Sequence, residues 1–379
     1  MELPPLGLYI HLPWCEHKCP YCDFNSHEAD SIAEVDYVDA LLEDLRGDLP
    51  LVQGRSVDTL FIGGGTPSLF SAAAITRLLH EIRSSLPLSP DLEATMEANP
   101  GSAEADKFAA FRQAGINRLS LGVQSFDSKC LQALGRIHSS EQAHSAIEAA
   151  RAAGFSNFNL DLMHGLPGQT VATALADLRS ALLHQPTHLS WYQLTIEPNT
   201  VFHKRPPRLP MEDTLADIQQ RGDALLAGAG YPQYEVSAYS RPGFNCRHNL
   251  NYWSFGDYLG IGAGAHGKVS FPDGSIERFA KKRQPAAYLQ AAPGAFTASR
   301  RTLQRDEIAG EFMLNALRLN DGFTLQQFCA ATGLQRATVQ SQLDSLARRN
   351  LLERRGDRIF TSDLGRRFLD TVVAEFFPD

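Results

Sequence analysis

The chain is predicted to be an α/β protein with a smaller, mainly helical C-terminal unit, on three observations. The first 200 residues alternate apolar runs with stretches of helical period, six times over. Beyond residue 300 helical period persists, but the alternation with apolar runs stops. The chemically unusual residues of the first part (three cysteines, a Gly run, Glu97, Gln124 and Asp161) all fall at the ends of the apolar runs or within them. Strand–helix units in series imply a parallel sheet with right-handed crossovers. An open doubly wound sheet and a barrel both satisfy that pattern.

Composition narrows the class. At 379 residues with 43% hydrophobic content, the chain has enough apolar material for one large domain and a small one. A net charge of −8 argues against a general nucleic-acid binder. No run of about 18 apolar residues occurs, so no transmembrane helix is expected.

In order, Leu6–Leu12 reads as a strand running into a cysteine loop. Ile32–Leu45 has apolar residues at helical spacing (Val35, Val38, Leu41, Leu42, Leu45). Val57–Ile62 is strand two and Ser71–Leu86 its helix. Leu92–Glu97 is strand three, with a helix near Ala103–Ala114 that Gly115 ends. Arg118–Val123 is strand four, with a helix near Ser140–Ala153 that Gly154 ends. Asn157–Met163 is strand five, with a helix near Thr170–Leu183, and His188–Ile196 is strand six.

The loop after strand one holds Cys15, Cys19 and Cys22 in a C-x3-C-x2-C pattern, half of the six cysteines within eight residues. Pro13 and Pro20 disfavour a helix there, and a loop can turn three sulfurs toward one centre. Three thiolates suit a soft metal site. Structural zinc would need a fourth ligand, and His11, His17 and His27 are nearby candidates. An iron–sulfur cluster held by three cysteines instead leaves one iron open for a small molecule. With no signal peptide before the cysteines, a reducing, cytoplasmic compartment is expected and a disulfide is not. Cys130, Cys246 and Cys329 are scattered and read as small buried hydrophobes.

The spacing, with Tyr21 before the third cysteine, resembles the signature of the radical S-adenosylmethionine (SAM) superfamily. The resemblance implies a [4Fe–4S] cluster on Cys15, Cys19 and Cys22. It also implies that the open iron chelates the amine and carboxylate of SAM, and that the reduced cluster cleaves SAM to a 5′-deoxyadenosyl radical. It selects a partial (β/α)6 barrel, whose chemistry gathers at the strand C-terminal ends.

The remaining motifs gain meaning beside it. Gly63-Gly64-Gly65-Thr66-Pro67 follows strand two; glycines permit close backbone approach, in a tight turn or against a ligand. The run resembles the motif that holds SAM's amine, with Thr66 in place of the usual acid, as in the coproporphyrinogen-oxidase-like branch. Glu97 closes strand three, Gln124 strand four, and Arg136 and Asp161 add a cation and an acid. An Arg136–Asp161 or Arg136–Glu97 pair without ligand is one reading. The resemblance implies that Tyr9, the glycines and Glu97 contact cluster-bound SAM. Gln124, Arg136 and Asp161 are implied to lie near a second SAM or a substrate. Leu166–Thr170 reads as strand-to-helix punctuation, and Trp191 and Tyr192 as core.

Residues 201–299 have another texture. Val201–Pro210 reads as an exposed loop, Leu215–Leu226 as a helix and Gln233–Tyr239 as a strand. Arg247–Trp253 then contains H-N-L-N-Y-W, a His beside two large aromatics. Such a set is compatible with a haem pocket having His248 as axial contact and Tyr252 and Trp253 as walls, although the residues taken alone favour a satisfied structural His. Residues 300–379 carry twelve Arg, no Lys and eleven acids. Helices at Ile308–Leu319, Thr324–Thr332 and Arg336–Arg349, a hairpin at Leu351–Phe360 and a last helix at Asp363–Phe377 resemble a winged helix. The near-neutral balance argues against a phosphate-tracking face and favours a lid or partner surface.

The resemblance spans essentially the whole chain, with oxygen-independent coproporphyrinogen III oxidase as the best-described enzyme of the type. The chain departs from it at Phe24, where that enzyme carries a fourth cysteine, and in having only fourteen residues before Cys15, where that enzyme has a longer segment. Both departures, with H-N-x-x-Y-W, resemble a haem-chaperone branch. The expected function is therefore haem delivery to an unidentified acceptor protein, with porphyrinogen oxidation as the alternative. Peripheral membrane contact with an acceptor stays open.

Overall fold

The computed structural model describes residues 3–101 and 105–378. Twelve strands form one curved, unclosed sheet. Its centre is the expected series: β1 (Leu6–Leu12), β2 (Val57–Gly64), β3 (Leu88–Ala98), β4 (Arg118–Gln124), β5 (Phe158–His164) and β6 (His188–Gln193), each parallel to the next. Five helices cover the outer face: α1 (Glu34–Asp48), α2 (Ala72–Ser85), α3 (Phe108–Ala114), α4 (Ser140–Ala152) and α5 (Val171–Leu183). The start of the helix expected from Ala103 lies outside the described residues; its end is at Gly115, which is left-handed at φ 105°.

The boundaries follow local chemistry. Ser71 caps α2 through the Ala74 N–H, and Ser139 and Thr170 form capping boxes at α4 and α5. On α2, Ile75, Leu78, Leu79 and Ile82 share one buried face. On β1, Leu6, Leu8, Ile10 and Leu12 enter the same core. The alternate residues turn inward, where the lumen is polar. Ser120 donates to Asp161 at 2.8 Å, Asn159 to Ser120 at 2.7 Å, and His188 Nδ1 lies 2.7 Å from Asn159 Oδ1. Buried polar side chains are tolerable there because they satisfy one another.

Residues 201–299 continue both edges of this sheet. Gln233–Tyr239 is a hairpin, β7 (Gln233–Glu235) and β8 (Ala238–Ser240), lying antiparallel beyond β6, where one strand was expected. On the other edge β9 (Asp257–Ile261) runs parallel to β1, followed by antiparallel β10 (His266–Ser270), β11 (Ile276–Lys281) and β12 (Thr297–Thr302). Helix α6 (Glu212–Gly228) precedes β7 and packs on α5, and α7 (Arg247–Trp253) joins β8 to β9. The segment read as the loop Val201–Pro210 starts with a helical turn, Val201–Lys204, and Ser128–Ala133 is a short helix without a counterpart in the expectation.

The C-terminal unit has the expected order: α8 (Glu307–Ala316), α9 (Leu325–Thr332), α10 (Ala337–Arg348), then the hairpin β13 (Leu352–Arg355) and β14 (Arg358–Thr361). The single last helix is instead broken at Phe368 into Asp363–Arg367 and α11 (Leu369–Ala374). The unit touches both arms of the sheet. Arg318 pairs with Glu235 of β7 at 3.3 Å and lies over Trp253 of α7, Arg278 of β11 pairs with Glu311, and Phe255 meets Phe312 in one core. Among the described residues no helix is long and apolar enough to cross a membrane.

Candidate functional site

The cysteine loop is pinched at its base, where Trp14–Cys15 pairs with His27–Glu28 and the His27 N–H donates to Pro13 O at 2.7 Å. The Cys22 N–H donates to Cys19 O at 3.0 Å, and Lys18 Nζ ties down the carbonyls of Phe24 and Ser26. Cys15 is buried; Cys19 and Cys22 are half-buried. All three line one cavity of ≈ 510 Å³ at the strand C-terminal ends, with Gly64, Gly65 and Thr66. Among the described residues no three metal-binding side chains close on a single ion. The three histidines that could complete a zinc site are engaged elsewhere. His11 lies between the Tyr9 hydroxyl and Asn25 O, His17 against Glu28, and His27 against Asn25. Three thiols spread around a cavity fit a multinuclear cluster better than zinc. Burial pushes the Cys15 and Cys22 thiols up, so their thiolates need a cationic partner.

The Gly run meets this loop edge on. The Gly65 N–H donates to Leu12 O at 2.8 Å and the Thr66 N–H to Trp14 O at 2.7 Å. A Cβ on Gly65 would lie 2.3 Å from Trp14 O, and Gly64 sits at φ 124°. The run is therefore both a tight packing device and a cavity wall. The Gly64 N–H donates to Glu97 Oε2 at 3.1 Å. Burial first, then the charge of Asp161, raises the Glu97 carboxyl to about 8. A cationic ligand group beside Glu97 would relieve that cost, which fits the amine or sulfonium of SAM.

Arg136 pairs with neither acid. Its Nη1 lies 3.6 Å from Cys19 Sγ, and its Nη2 donates to Asn99 Oδ1 at 2.7 Å and Gly122 O at 2.9 Å. Asn99 in turn donates to Thr66 at 2.9 Å. One network therefore links Cys19 to the ends of β2, β3 and β4. Asp161 is held by Ser120 and Asn159, and burial raises its carboxyl. Gln124 sits at φ 67° and accepts from the Tyr192 hydroxyl at 2.9 Å.

Three of the expected residues lie elsewhere. Gly63 lies behind the wall, where a Cβ would be 3.0 Å from Glu97 Oε2. Tyr9 lines an adjoining cavity of ≈ 620 Å³ with Phe24, Tyr252, Tyr258 and His266. His248 is 1% exposed inside the barrel, its Nδ1 2.8 Å from the Thr59 hydroxyl and its Nε2 2.9 Å from that of Tyr252. Burial, aided by Arg118, lowers its pKa to about 3. Both ring nitrogens are used, so the expected axial haem contact is, in this conformation, a structural histidine.

The motif around it has a different use. In α7, His248 anchors the helix and Asn251 donates to Asp257 O at 2.7 Å. Asn249 and Trp253 face the cysteine cavity, whereas Tyr252 faces the second cavity. Phe24, Gly64 and Glu97 line both.

The comparisons bear on this arrangement. Residues 9–181 match the radical SAM superfamily model and residues 303–368 the HemN C-terminal domain model. Over its full length the chain is 50% identical to the heme chaperone HemW of Escherichia coli strain K12, whose whole length is covered. It is 35% identical to the heme chaperone HemW of Mycobacterium tuberculosis H37Rv, over 97% of this chain and 94% of that protein. The chain belongs to the HemW family. The solved structure of coproporphyrinogen III oxidase (HemN) from Escherichia coli, a radical SAM enzyme, is similar with a TM-score of 0.83 at 25% identity, covering 99% of this chain and 90% of that one.

Within this member of the HemW family, the cysteine cavity gathers the cysteines, Gly64, Gly65, Thr66, Glu97, Gln124, Arg136 and Asp161. Sequence reasoning passed over Asn99, Ser120, Ser190 and Tyr192, which also line it. The sequence places Tyr192 in the core with Trp191; Trp191 is there, 1% exposed, whereas Tyr192 is partly buried and lines the cavity. Strand alternation carried the signal, since Ser190 and Tyr192 share the inward parity of His188. Tyr258, His266 and Arg283 of the second cavity gave no comparable signal. Cys130 and Cys246 are buried as expected, and Cys329 is half-buried against the C-terminal core.

Proposed function

We propose that this chain is a haem chaperone that holds a [4Fe–4S] cluster on Cys15, Cys19 and Cys22, seats SAM beside it, binds haem and passes it to an acceptor protein. The observation that carries the reading is the pair of adjoining cavities with α7 as their common wall. The cysteine cavity supplies thiolates, a buried carboxylate and exposed Gly-loop backbone. Arg136 holds Cys19 Sγ and orients the β2–β4 ends, and Glu97 faces the cationic end of SAM. When bound, the cluster supplies a redox centre with one open coordination position. Gln124 and Asp161 line the same cavity deeper in the barrel, toward the far end of SAM or a second ligand. The second cavity is walled by tyrosines and by Phe24, which stands where the oxidase carries its fourth cysteine. A flat apolar ligand stacks well on such walls. The names carried by the relatives support the same cargo. Titration of the cluster-loaded chain with haem tests the reading.

The likeness to coproporphyrinogen III oxidase favours one second reading, oxidative decarboxylation of a porphyrinogen. Its mark is SAM consumption coupled to loss of substrate carboxylates.

A further inference from the structure

The outer wall of the barrel carries a pair of imidazoles that neither cavity uses. His144 and Glu148 stand one turn apart on α4. His184 closes α5 and enters between them. Its Nδ1 lies 3.0 Å from Glu148 Oε1, and its Nε2 lies 2.6 Å from His144 Nδ1. Phe126 backs both rings, its centroid 4.7 Å from that of His144 and 6.2 Å from that of His184. Phe126 is fixed in turn, because its N–H donates to the buried Asp177 of α5 at 2.7 Å. Two helices and the turn after β4 therefore aim two ring nitrogens at one point.

The partners assign the protons. A carboxylate only accepts, so His184 donates its Nδ1–H to Glu148 and keeps a lone pair on Nε2. Burial, working against Glu148, holds the His184 ring below its ordinary pKa, so the ring is neutral near pH 7. His144 meets that lone pair with its own Nδ1–H. Its Nε2 has no hydrogen-bond partner among the described residues, so the proton can pass to that nitrogen. Both rings then direct lone pairs into the gap. A metal-bound imidazole characteristically gives its other N–H to a carboxylate, which is the contact His184 already makes.

The local field favours a cation. The partially negative end of α5 lies at His184, and Glu141 stands exposed near His144. Arg151 opposes this from the far side of Glu148, at 3.6 Å. Two nitrogens at about 2.1 Å from one tetrahedral ion stand about 3.4 Å apart, so the rings must part by about 0.8 Å from their present 2.6 Å. Both rings are half-buried, which allows that shift and admits water to the remaining positions. Imidazole suits the later divalent transition ions rather than magnesium or calcium.

We infer that His144 Nδ1 and His184 Nε2 bind a divalent transition ion of the zinc class, with Glu148 orienting His184 and water completing the coordination. The site is separate from the cysteines and independent of the chaperone reading. A bound ion would brace α4 against α5 behind the turn that follows Gln124, since Ser125 and Phe126 of that turn are tied to Asp177.

The experiment is an anaerobic calorimetric titration of the full, cluster-loaded chain with Zn²⁺, with cluster absorption followed in parallel and zinc-edge X-ray absorption of the product. One zinc per chain is expected, bound by nitrogen and oxygen without sulfur, with the cluster spectrum unchanged. His144→Ala and His184→Ala should each remove this saturable step, and Glu148→Gln should weaken it by about 10-fold. His80→Ala, at an exposed histidine of α2, should leave it as it was. Unchanged affinity in both His144→Ala and His184→Ala overturns the site, as does absence of saturable zinc binding by the unsubstituted chain. Should circular dichroism show that a substitution disturbs the fold, the ligand atoms seen by X-ray absorption in the unsubstituted chain decide: a sulfur shell, with loss of cluster absorption, assigns the zinc to the cysteines and ends the proposal.

Discussion

The two cavities adjoin but are built on opposite principles. The cysteine cavity sits where the parallel strands end, and polar groups at the ends of β2 to β5 and on the cysteine loop join in two networks: Thr66–Asn99–Arg136–Cys19 on one side, Ser120–Asp161–Asn159 on the other. Its chemistry is directional and depends on charge. The second cavity lies between the far limb of the cysteine loop and β9–β11, and its walls are aromatic rings whose polar tips are tied to neighbours, Tyr252 to His248, Tyr258 to Arg278 and Tyr9 to His11. It can hold a large flat ligand by contact area and release it without breaking a network. Fixed polarity suits a resident cofactor; loose aromatic contact suits cargo.

The sharpest way to break that contrast is to remove a cluster ligand. Cys19→Ala should abolish cluster assembly, with iron and acid-labile sulfide falling to background after anaerobic reconstitution. Haem should still saturate the second cavity. Loss of both together would mean that the two sites are one.

The next effect is a pH dependence. The Glu97 carboxyl, normally near 4.5, is raised to about 8 chiefly by burial. Its contribution to the stability of the SAM-free chain is therefore complete below about 4.5 and lost as pH rises through about 8. SAM binding runs the other way, because the cationic ligand prefers ionised Glu97: affinity should rise with pH up to about 8 and then level. Glu97→Gln should remove both slopes. Isothermal titration and thermal melts across this range read the two signs separately.

The smallest effect tests the placement of His248. Tyr252→Phe removes the hydroxyl on His248 Nε2 and leaves a buried nitrogen unpartnered, which should cost about 1–3 kcal/mol in a denaturant melt. Cluster content should not change. A haem spectrum that instead gained a new histidine ligand in this variant would return His248 to the cargo site.

Much of the barrel was legible in the sequence because strand and helix periods, Ser and Thr caps and the terminal glycines all act locally. The cysteine loop was legible because three thiols at that spacing have few other uses. Residues 257–261 were not. Asp257–Ile261 is a parallel strand on β1, yet it runs into a Gly-rich stretch whose glycines serve close approach rather than alternation: a Cβ on Gly260 would lie 1.9 Å from His266 O and one on Gly262 2.3 Å from His11 O. Nor was the depth of His248, because the same His, Tyr and Trp suit a haem pocket or a plug, and only tertiary packing puts Thr59 and Tyr252 on the ring. Phe368 broke the last helix where the apolar period ran straight through.

The most direct measurement is the anaerobic haem titration of the cluster-loaded chain, with a parallel assay for SAM-dependent loss of porphyrinogen carboxylates. The account predicts saturation at one haem per chain with micromolar affinity or better, about −8 kcal/mol, and no carboxylate loss. Absence of saturable haem binding, with SAM consumed and carboxylates lost, would contradict it and make the chain an oxidase.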